Sequence, residues 1–230
     1  MKLAGVQKLT LLDFPSVVAC TVFTLGCNFK CPFCHNAHLV DGKCEDRIDE
    51  EKVISFLKQR QGILEGVVIT GGEPLLHRDI GDFLFKIKEL GYLVKIDTNG
   101  TNPSLLRELI EKKLVDYVAM DIKNSPEKYT LATGEVSIDM DAIEESKDLL
   151  LSGVVNYEFR TTVVKGIHTE ESILSLAKWI ASADKYYLQQ FKNSGELLSP
   201  EGLSEFSSEE MKKFKELASR FVFSAEIRGL

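Results

Sequence analysis

The stretch that decides the fold is residues 17–34, VVACTVFTLGCNFKCPFC, in which an apolar run leads directly into three closely spaced cysteines. Residues 17–24 are rich in β-branched and aromatic side chains, which predicts a buried strand. Cys27, Cys31 and Cys34 follow in the spacing C-x3-C-x2-C, and no fourth cysteine continues the pattern. The sequence therefore predicts a compact cysteine loop at the end of a buried strand.

Three thiols in one short loop limit the kind of metal site that they can form. A structural zinc site takes four ligands in a closed tetrahedron, and an ordinary 4Fe–4S cluster takes one thiolate for each iron. Three thiolates leave one metal with an open coordination position, where a substrate or cofactor can bind. A zinc-binding module and an electron carrier remain as non-enzymatic alternatives, which metal analysis would separate.

Length and composition predict one globular domain over residues 1–230. The chain is 44% hydrophobic and 27% charged, and it is long enough to bury a full core without disulfides. Its net charge of −7 disfavours a nonspecific nucleic-acid binder, which needs a basic face. No apolar run approaches the ~20 residues of a membrane span, and the first residues build no signal-peptide core. We therefore expect a cytoplasmic protein that binds neither nucleic acid nor membrane.

The five cysteines are an odd number and mostly clustered, which argues against a secreted disulfide framework. Cys20 lies in the apolar strand, where a buried thiol acting as a small hydrophobic side chain is the favoured interpretation. Cys44 lies in a polar loop and is expected to be a free surface thiol. A role for either one as a further cluster ligand is the less favoured alternative, because the spacing does not support it.

Apolar runs alternate with amphipathic stretches along the rest of the chain. Strands are predicted at 17–24, 66–70, 93–97, 117–122, 157–164 and 186–191, with a short terminal one at 221–225. Helices are predicted at 48–60, 79–90, 103–113, 140–151, 170–182 and 207–221. This α/β alternation predicts a parallel sheet with right-handed crossovers. Six units fall short of the eight of a full barrel, so we expect an open, partial (β/α)6 barrel of the TIM type.

Polar motifs fall at the ends of the predicted strands, where parallel α/β proteins bind their ligands. They are Gly71-Gly72-Glu73-Pro74, Asp97-Thr98-Asn99-Gly100, Met120-Asp121-Ile122-Lys123 and, on the fifth strand, Arg160. The two glycines would open the backbone to a ligand, and Glu73 could receive an ammonium group. Asp97 and Asp121 either cap helices or bind hydroxyl groups or a shared cation. Arg160 either neutralises a carboxylate or faces solvent. Residues 124–138 are irregular and polar, which marks a candidate functional loop.

The cysteine spacing, with the aromatic Phe33 before the last cysteine, resembles the signature of radical S-adenosylmethionine (SAM) enzymes. Gly71-Gly72-Glu73-Pro74 is similar to the motif that binds the SAM amino group in that family. The resemblance implies that Cys27, Cys31 and Cys34 hold a 4Fe–4S cluster whose fourth iron is chelated by SAM. It also implies reductive cleavage of SAM to a 5′-deoxyadenosyl radical. Phe33 would shield the cluster or stack near adenine, with ordinary packing as the alternative.

A wider pattern over about residues 5–125, KLTLLDFPS and FTLGCNFKCPFCHN, resembles the activating enzymes of glycyl radical enzymes. It is most similar to those of anaerobic ribonucleoside-triphosphate reductase and, next, to those of pyruvate formate-lyase. One position departs from the family, since Ser16 stands where a glycine is usual. Some of these activases insert ferredoxin-like cysteine repeats after the first cluster, and this sequence has none, so one cluster is expected. The polar sequence Cys34-His35-Asn36 also recurs in these relatives, and we expect His35 to lie outside the ligand set.

The same relatives imply roles for the strand-end residues. Asp97, Thr98, Met120 and Asp121 would line the SAM pocket or an adjoining monovalent-cation site. Lys123 would approach the SAM carboxylate. The implied product is a glycyl radical on a separate partner enzyme, with an electron from a reductant such as flavodoxin or ferredoxin, under anaerobic conditions. The alternative is a radical SAM enzyme acting on a small molecule, similar to 7-carboxy-7-deazaguanine synthase.

Overall fold

The predicted alternation of apolar runs and amphipathic stretches builds one eight-stranded sheet with helices around it. The protein is seen in a computed structural model that describes residues 1–42, 47–193 and 197–230. The strands are β1 (Leu3–Thr10), β2 (Ala19–Thr24), β3 (Gly66–Gly71), β4 (Leu93–Thr98), β5 (Tyr117–Asp121), β6 (Asn156–Val163), β7 (Tyr186–Gln190) and β8 (Ala225–Arg228). The helices are α1 (Ala37–Val40), α2 (Glu50–Gln59), α3 (Ile80–Glu89), α4 (Pro103–Glu111), α5 (Tyr129–Thr133), α6 (Met140–Leu151), α7 (Glu170–Trp179) and α8 (Ser208–Ala218).

The strands follow one another across the sheet in chain order. β1 pairs with β2 in the antiparallel sense, and every later neighbouring pair from β2 to β8 is parallel. Among the described residues no ladder joins β8 back to β1, so these two strands are the edges of the sheet. This architecture confirms the expected α/β class with an open, partial barrel.

Local sequence signals set where the helices begin. Pro103 occupies the first turn of α4, where its missing N–H costs nothing. Ser207 caps α8 in a capping box with Glu210, as the sequence predicts. Thr169 and Ser172 form a second capping box at the start of α7. Nowhere in the described ranges does a helix have the length and apolarity that crossing a bilayer requires.

Alternation along each strand separates an apolar layer from a polar barrel interior. On β4, Val94 and Ile96 are fully buried in the main core, which includes Phe83 and Ile87 of α3. The residues that alternate with them, Lys95 and Asp97, form an ion pair with each other. Because successive side chains of a strand point to opposite faces, β4 presents its apolar side to the helices and its charged side to the barrel interior.

Three segments differ from the sequence expectation. The short terminal strand expected at 221–225 is instead β8, Ala225–Arg228, because residues 221–224 form the turn that leads from α8 into it. β1 is not anticipated, because it is an edge strand in which several side chains are exposed and its apolar pattern is weak. The candidate loop 124–138 is more regular than expected: it contains a 3₁₀ turn, Pro126–Lys128, followed directly by α5. The prediction for Cys44 lies outside the described residues.

Candidate functional site

One cavity at the carboxyl ends of the strands collects almost all of the residues singled out by the sequence. Those that line it are Cys27, Cys31, Phe33, Cys34, Gly71, Gly72, Glu73, Asp97, Thr98, Asp121, Lys123 and Arg160. They come from the cysteine loop and from the ends of four strands, β3, β4, β5 and β6. The topology therefore brings together side chains that are up to 133 residues apart in sequence, from Cys27 to Arg160.

Backbone contacts fix the cysteine loop against neighbouring segments. The N–H of Cys27 donates to the carbonyl oxygen of Val40 at 3.1 Å, and the N–H of Lys30 donates to that of Thr133 at 2.8 Å. Gly134, which ends α5 at φ +69°, packs so closely that a Cβ there would lie 2.3 Å from the Lys30 carbonyl oxygen. The segment after β5 thus acts as a brace for the cysteine loop.

The three cysteines of the loop suit a metal cluster by their chemistry and position. All three thiols are free, and burial raises the pKa of Cys27 to about 12 and that of Cys31 to about 11. A bound metal supplies the positive charge that such buried thiols need to ionise. Over the described ranges, no three His, Cys, Asp or Glu side chains converge on a position for a single ion. Three thiols can each ligate one iron of a 4Fe–4S cluster, which leaves the fourth iron with an open position.

The two glycines after β3 permit a close approach within the protein itself. A Cβ on Gly71, which has φ +110°, would lie 2.5 Å from the backbone nitrogen of Thr24. A Cβ on Gly72 would lie 2.0 Å from the carbonyl oxygen of Gly26. That same oxygen accepts a hydrogen bond from the N–H of Glu73 at 2.8 Å. Because they have no side chains, the two glycines let this turn pack directly against the backbone of β2 and of the cysteine loop. They also expose their own backbone at the cavity wall.

Glu73 is almost fully buried, with 1% of its surface exposed. Its carboxylate accepts hydrogen bonds from the Thr98 hydroxyl and the Asn99 N–H, both at 2.7 Å, and from the Leu75 N–H at 3.1 Å. Burial raises its pKa to about 7, although these three donors pull in the opposite direction. The Glu73 carboxylate therefore joins the ends of β3 and β4 beneath the cavity.

A chain of ion pairs crosses the barrel interior from β4 to β6. The Arg160 guanidinium donates from Nη1 to Asp97 Oδ2 at 3.0 Å and from Nε to Asp121 Oδ1 at 2.9 Å. Lys123 Nζ donates to Asp121 Oδ2 at 2.9 Å, and Lys95 Nζ donates to Asp97 Oδ1. Arg160 therefore faces the cavity and neutralises carboxylates; the alternative of a solvent-facing arginine is wrong, because its side chain is only 12% exposed.

The two carboxyls of this chain remain ionised in the folded protein. Burial alone would raise the pKa of Asp97 and of Asp121. The charge of Arg160, together with that of Lys95 at Asp97 and of Lys123 at Asp121, outweighs burial and holds both pKa values below their usual range. Burial alone would lower the pKa of Lys123, but the charge and hydrogen bond of Asp121, together with the nearby Cys31, raise it instead. The cavity therefore keeps fixed charges of both signs at neutral pH.

Met120 lies outside the cavity lining, in contrast to the other expected site residues. Its side chain is fully buried in the main core. A Cβ added to Gly100 would lie 2.2 Å from Met120 Cε, so the thioether packs directly against the loop that follows β4. The structure gives Met120 a packing role behind the site, and we leave it out of the proposed SAM contacts.

Cys20, His35 and Phe33 lie in or beside the apolar core around the cavity. Cys20 is fully buried in the core, which agrees with its interpretation as a small hydrophobic side chain. The ring of His35 borders the cavity and lies 5.9 Å from the ring of Phe191, between centroids. Phe33 is 5% exposed, and its ring meets His168 edge-on at 6.5 Å. Phe33 is thus buried against His168 while it also lines the cavity.

Sequence reasoning gave no role to three residues that shape the site: Lys95, Asn99 and His168. His168 Nδ1 accepts from the Val164 N–H at 3.0 Å, so Nε2 carries the proton and donates to the Lys123 carbonyl oxygen at 2.9 Å. Burial lowers the His168 pKa to about 4, so the ring is neutral. Among these three residues, only Lys95 carried a sequence signal of its role. It is a lysine inside an apolar strand, two residues before Asp97 and therefore on the same strand face.

Comparison with known proteins gives the family. The model described as "Radical SAM superfamily" matches residues 21–180, which is most of the chain. This chain is a member of the radical SAM superfamily. The superfamily implies a 4Fe–4S cluster and SAM as cofactors, and it makes the chain an oxidoreductase-type enzyme. The recognition made from the cysteine spacing and the Gly-Gly-Glu-Pro motif is confirmed.

Individual relatives narrow the comparison. A Methanocaldococcus jannaschii protein named "Putative glycyl-radical enzyme activating enzyme" is 37% identical over 199 residues, covering 82% of this chain and 79% of the relative. Streptococcus suis SuiB bound to S-adenosylmethionine superposes with a TM-score of 0.70 at 16% identity, over 89% of this chain and 48% of SuiB. A domain of pyruvate-formate lyase-activating enzyme from Bacteroides vulgatus gives 0.58 at 18% identity, over 71% of this chain and 99% of that domain. At these identities the two structures establish the fold.

Proposed function

We propose that this enzyme is a glycyl-radical-enzyme activase, with anaerobic ribonucleotide reductase as its partner. The observation that carries the proposal is the single cavity in which three free thiols face the charged ends of β3 to β6. The 37% identical relative with an activating-enzyme name supports the same reaction class. Support for this particular partner comes from the resemblance of residues 5–125 to activases of that reductase.

Cys27, Cys31 and Cys34 would bind the cluster, and the adjoining cavity would bind SAM. Bound there, the two cofactors would supply the one-electron reductive cleavage of the SAM C–S bond, with methionine as a product and net loss of a hydrogen atom from a glycine Cα of the partner enzyme. The brace between Lys30 and Thr133 holds the thiols in place while this happens. The protein thus contributes binding, orientation and exclusion of water.

The charged residues have complementary tasks toward the amino acid part of SAM. Lys123 and Arg160 are paired with carboxylates but line the cavity, so they can attract the SAM carboxylate. Glu73 and the backbone around Gly71 and Gly72 would receive the SAM ammonium group. Thr98 and the neighbouring Asn99 N–H hold the Glu73 carboxylate in position. Asp97 and Asp121 would act through the two cations that they orient.

The open side of the barrel suits a protein substrate. In the described part of the chain, β8 and β1 remain unpaired with each other, so the barrel is not closed by hydrogen bonds at this seam. A loop bearing the target glycine could enter there and reach the cavity. Flavodoxin or ferredoxin would supply the electron, and the oxygen sensitivity of such clusters implies anaerobic conditions.

The test is electron paramagnetic resonance of a partner enzyme after incubation with anaerobically reconstituted activase, SAM and dithionite. Anaerobic ribonucleotide reductase labelled with 13C at glycine Cα should give a radical signal with added 13C splitting, and its Gly→Ala variant should give none. Pyruvate formate-lyase serves as the competing partner. Formation of 5′-deoxyadenosine without a radical on either protein would contradict the activase proposal and favour a small-molecule substrate.

A further inference from the structure

The acids that the resemblance connects with a monovalent cation already have cationic partners from the chain. Asp97 Oδ1 accepts from Lys95 and Asp97 Oδ2 accepts from Arg160 at 3.0 Å. Asp121 Oδ1 accepts from Arg160 at 2.9 Å, and Asp121 Oδ2 accepts from Lys123 at 2.9 Å. Each of the four carboxylate oxygens therefore has an ammonium or guanidinium donor, and the bridge between the two acids is the Arg160 guanidinium.

The charge count of this group leaves no need for a metal cation. Three cations, Lys95, Arg160 and Lys123, face two anions, Asp97 and Asp121, so the group carries a net charge of 3 − 2 = +1. A further cation placed between the two acids would lie beside three cations and would find every carboxylate oxygen already paired, so charge repulsion opposes its binding. The residues present therefore do not fit a monovalent metal ion between Asp97 and Asp121.

Lys95 is the unusual member of the group. Its side chain is 0% exposed, and it is absent from the residues that line the cavity. It lies on β4 with its ammonium group against Asp97, on the side of that carboxylate away from Arg160's contact at Oδ2. A buried lysine is tolerated only with a charged partner. Here the partner is Asp97, an acid that lines the cavity, so the Lys95 ammonium neutralises a carboxylate at the cavity wall.

We infer that the Lys95 ammonium is a built-in replacement for a monovalent metal cation, and that this enzyme binds SAM without one. The inference rests on the SAM site of the proposed function. Lys95 is a positioning residue: it acts on SAM through Asp97 and Arg160. Removing its charge should leave Asp97 Oδ1 free to bind a small cation from solution, which would turn a cation-independent enzyme into a cation-dependent one.

The experiment uses the anaerobically reconstituted enzyme in KCl, NaCl or tetramethylammonium chloride at one ionic strength. Equilibrium dialysis gives the SAM dissociation constant, and thermal unfolding gives the midpoint temperature. We expect equal values for the wild type in all three salts. For Lys95→Met we expect SAM affinity about tenfold weaker in tetramethylammonium than in K⁺ or Na⁺, which corresponds to about 1.4 kcal/mol. Its midpoint should also rise with added K⁺ or Na⁺, as mass action requires.

Two variants control the result. Lys112→Met removes an exposed Lys–Glu pair on α4's carboxyl end and should behave as the wild type in every salt. The double variant Lys95→Met/Asp97→Asn removes both charges of the buried pair, so its midpoint should not respond to the choice of salt. If Lys95→Met alone fails to fold, the wild type and the double variant still test the inference. A metal site at Asp97 would make the wild type depend on the salt, whereas the inference predicts that neither protein responds to it.

The inference is overturned if the wild type loses SAM affinity or thermal stability in tetramethylammonium, or if folded Lys95→Met responds equally to all three salts. It is also overturned if the double variant keeps a response to K⁺ or Na⁺. Failure of the SAM site on which the inference rests looks different: SAM would bind to no variant in any salt, while the unfolding midpoints would still report whether a cation binds beside Asp97. Failure of the activase proposal alone would leave SAM binding, and therefore this test, unchanged.

Discussion

At the amino end of the barrel the ring of Phe14 packs inward against Val68 and the ring of Tyr117, whereas at the carboxyl end the interior holds the ion pairs of Asp97 and Asp121. Strand β5 contributes to both, since Tyr117 and Asp121 lie on the same face four residues apart. The amino end is filled by these apolar side chains and by one buried ion pair, in which Glu158 accepts from Arg228 at 2.8 Å and also from the Tyr117 hydroxyl at 3.1 Å. The charged end satisfies its groups by pairing, which leaves a space that a ligand can enter.

The segment before β2 fills the amino end of the barrel, opposite the cavity. Phe14 is 4% exposed, and a Cβ on Gly66 would lie 2.9 Å from its ring. Phe14 therefore closes the amino end of the barrel with an apolar ring, while the charged side chains of the same strands lie at the carboxyl end. Changes at the two ends should therefore have separable effects on stability and on SAM chemistry.

The largest expected effect on stability is at the apolar end. Phe14→Ala removes a buried ring and should lower the free energy of unfolding by about 3–5 kcal/mol. Leu12→Ala, in the same loop but 86% exposed, should change it by less than about 0.5 kcal/mol. Anaerobic urea unfolding measures both. SAM cleavage per folded molecule should be unchanged, and its loss in a still folded Phe14→Ala protein would break the separation between the two ends.

The next effect is pH dependence at His168, which supports Lys123 at the charged end. Because its folded pKa of about 4 lies below the unfolded value of about 6.5, the unfolded chain binds more protons between these pH values. The free energy of unfolding should therefore fall as pH falls from about 6.5 to 4, by up to about 1 kcal/mol per pH unit for this one group.

The comparison that isolates the histidine is His168→Gln, which cannot titrate. Its unfolding free energy should depend less steeply on pH in that window, while the two proteins run parallel above pH 7. Equal slopes for the variant and the wild type would show that His168 is not held neutral, and would remove it from the support of Lys123.

A smaller loss is expected from the hydrogen bond beneath the cavity. Thr98→Val removes the 2.7 Å donor to the buried Glu73 carboxylate and should cost about 1–3 kcal/mol of unfolding free energy. Thr130→Val, at an exposed position of α5, is the matched control and should be nearly neutral. SAM affinity should fall in the first variant alone. A Thr98→Val protein with wild-type stability and affinity would contradict the role given to the Glu73 contacts.

The smallest effect is a gain at the apolar end. Ser16 has φ +62°, a conformation that L residues other than glycine adopt at a cost of about 1 kcal/mol. Ser16→Gly should therefore raise the free energy of unfolding by about 0.5 kcal/mol after the entropy of glycine is subtracted. Ser219→Gly, at φ −61°, should not stabilise. If both substitutions destabilise, the turn before β2 is not strained.

The sequence is sufficient to locate most of the fold because its signals are local. The strands β3 to β7 begin and end within one or two residues of their predicted bounds, since Gly and polar residues interrupt the apolar runs. β1 was missed because an edge strand with exposed side chains lacks a strong apolar pattern. Its pairing with β2 is antiparallel, so the βα alternation did not predict it.

The features of the site that the sequence predicts are also the local ones. The cysteines and strand-end motifs are recognisable because each is a short contiguous pattern. The pairing of Arg160 with both Asp97 and Asp121 is not, because it depends on the register of β4, β5 and β6, which are separated by helices. The roles of Lys95 and His168 are likewise long-range. Local sequence therefore gives the chemistry of the groups, and the topology decides which of them neutralise one another.

The central claim, that the carboxyl end of the barrel cleaves SAM on a cluster held by three cysteines, is tested most directly by a pair of cysteine variants. Cys31→Ala removes a thiol from the cavity wall, and Cys20→Ala removes a fully buried thiol outside it. After anaerobic reconstitution and dithionite reduction with SAM, we expect 5′-deoxyadenosine from the wild type and Cys20→Ala, and none above background from Cys31→Ala. Equal yields from Cys31→Ala and Cys20→Ala would contradict the account.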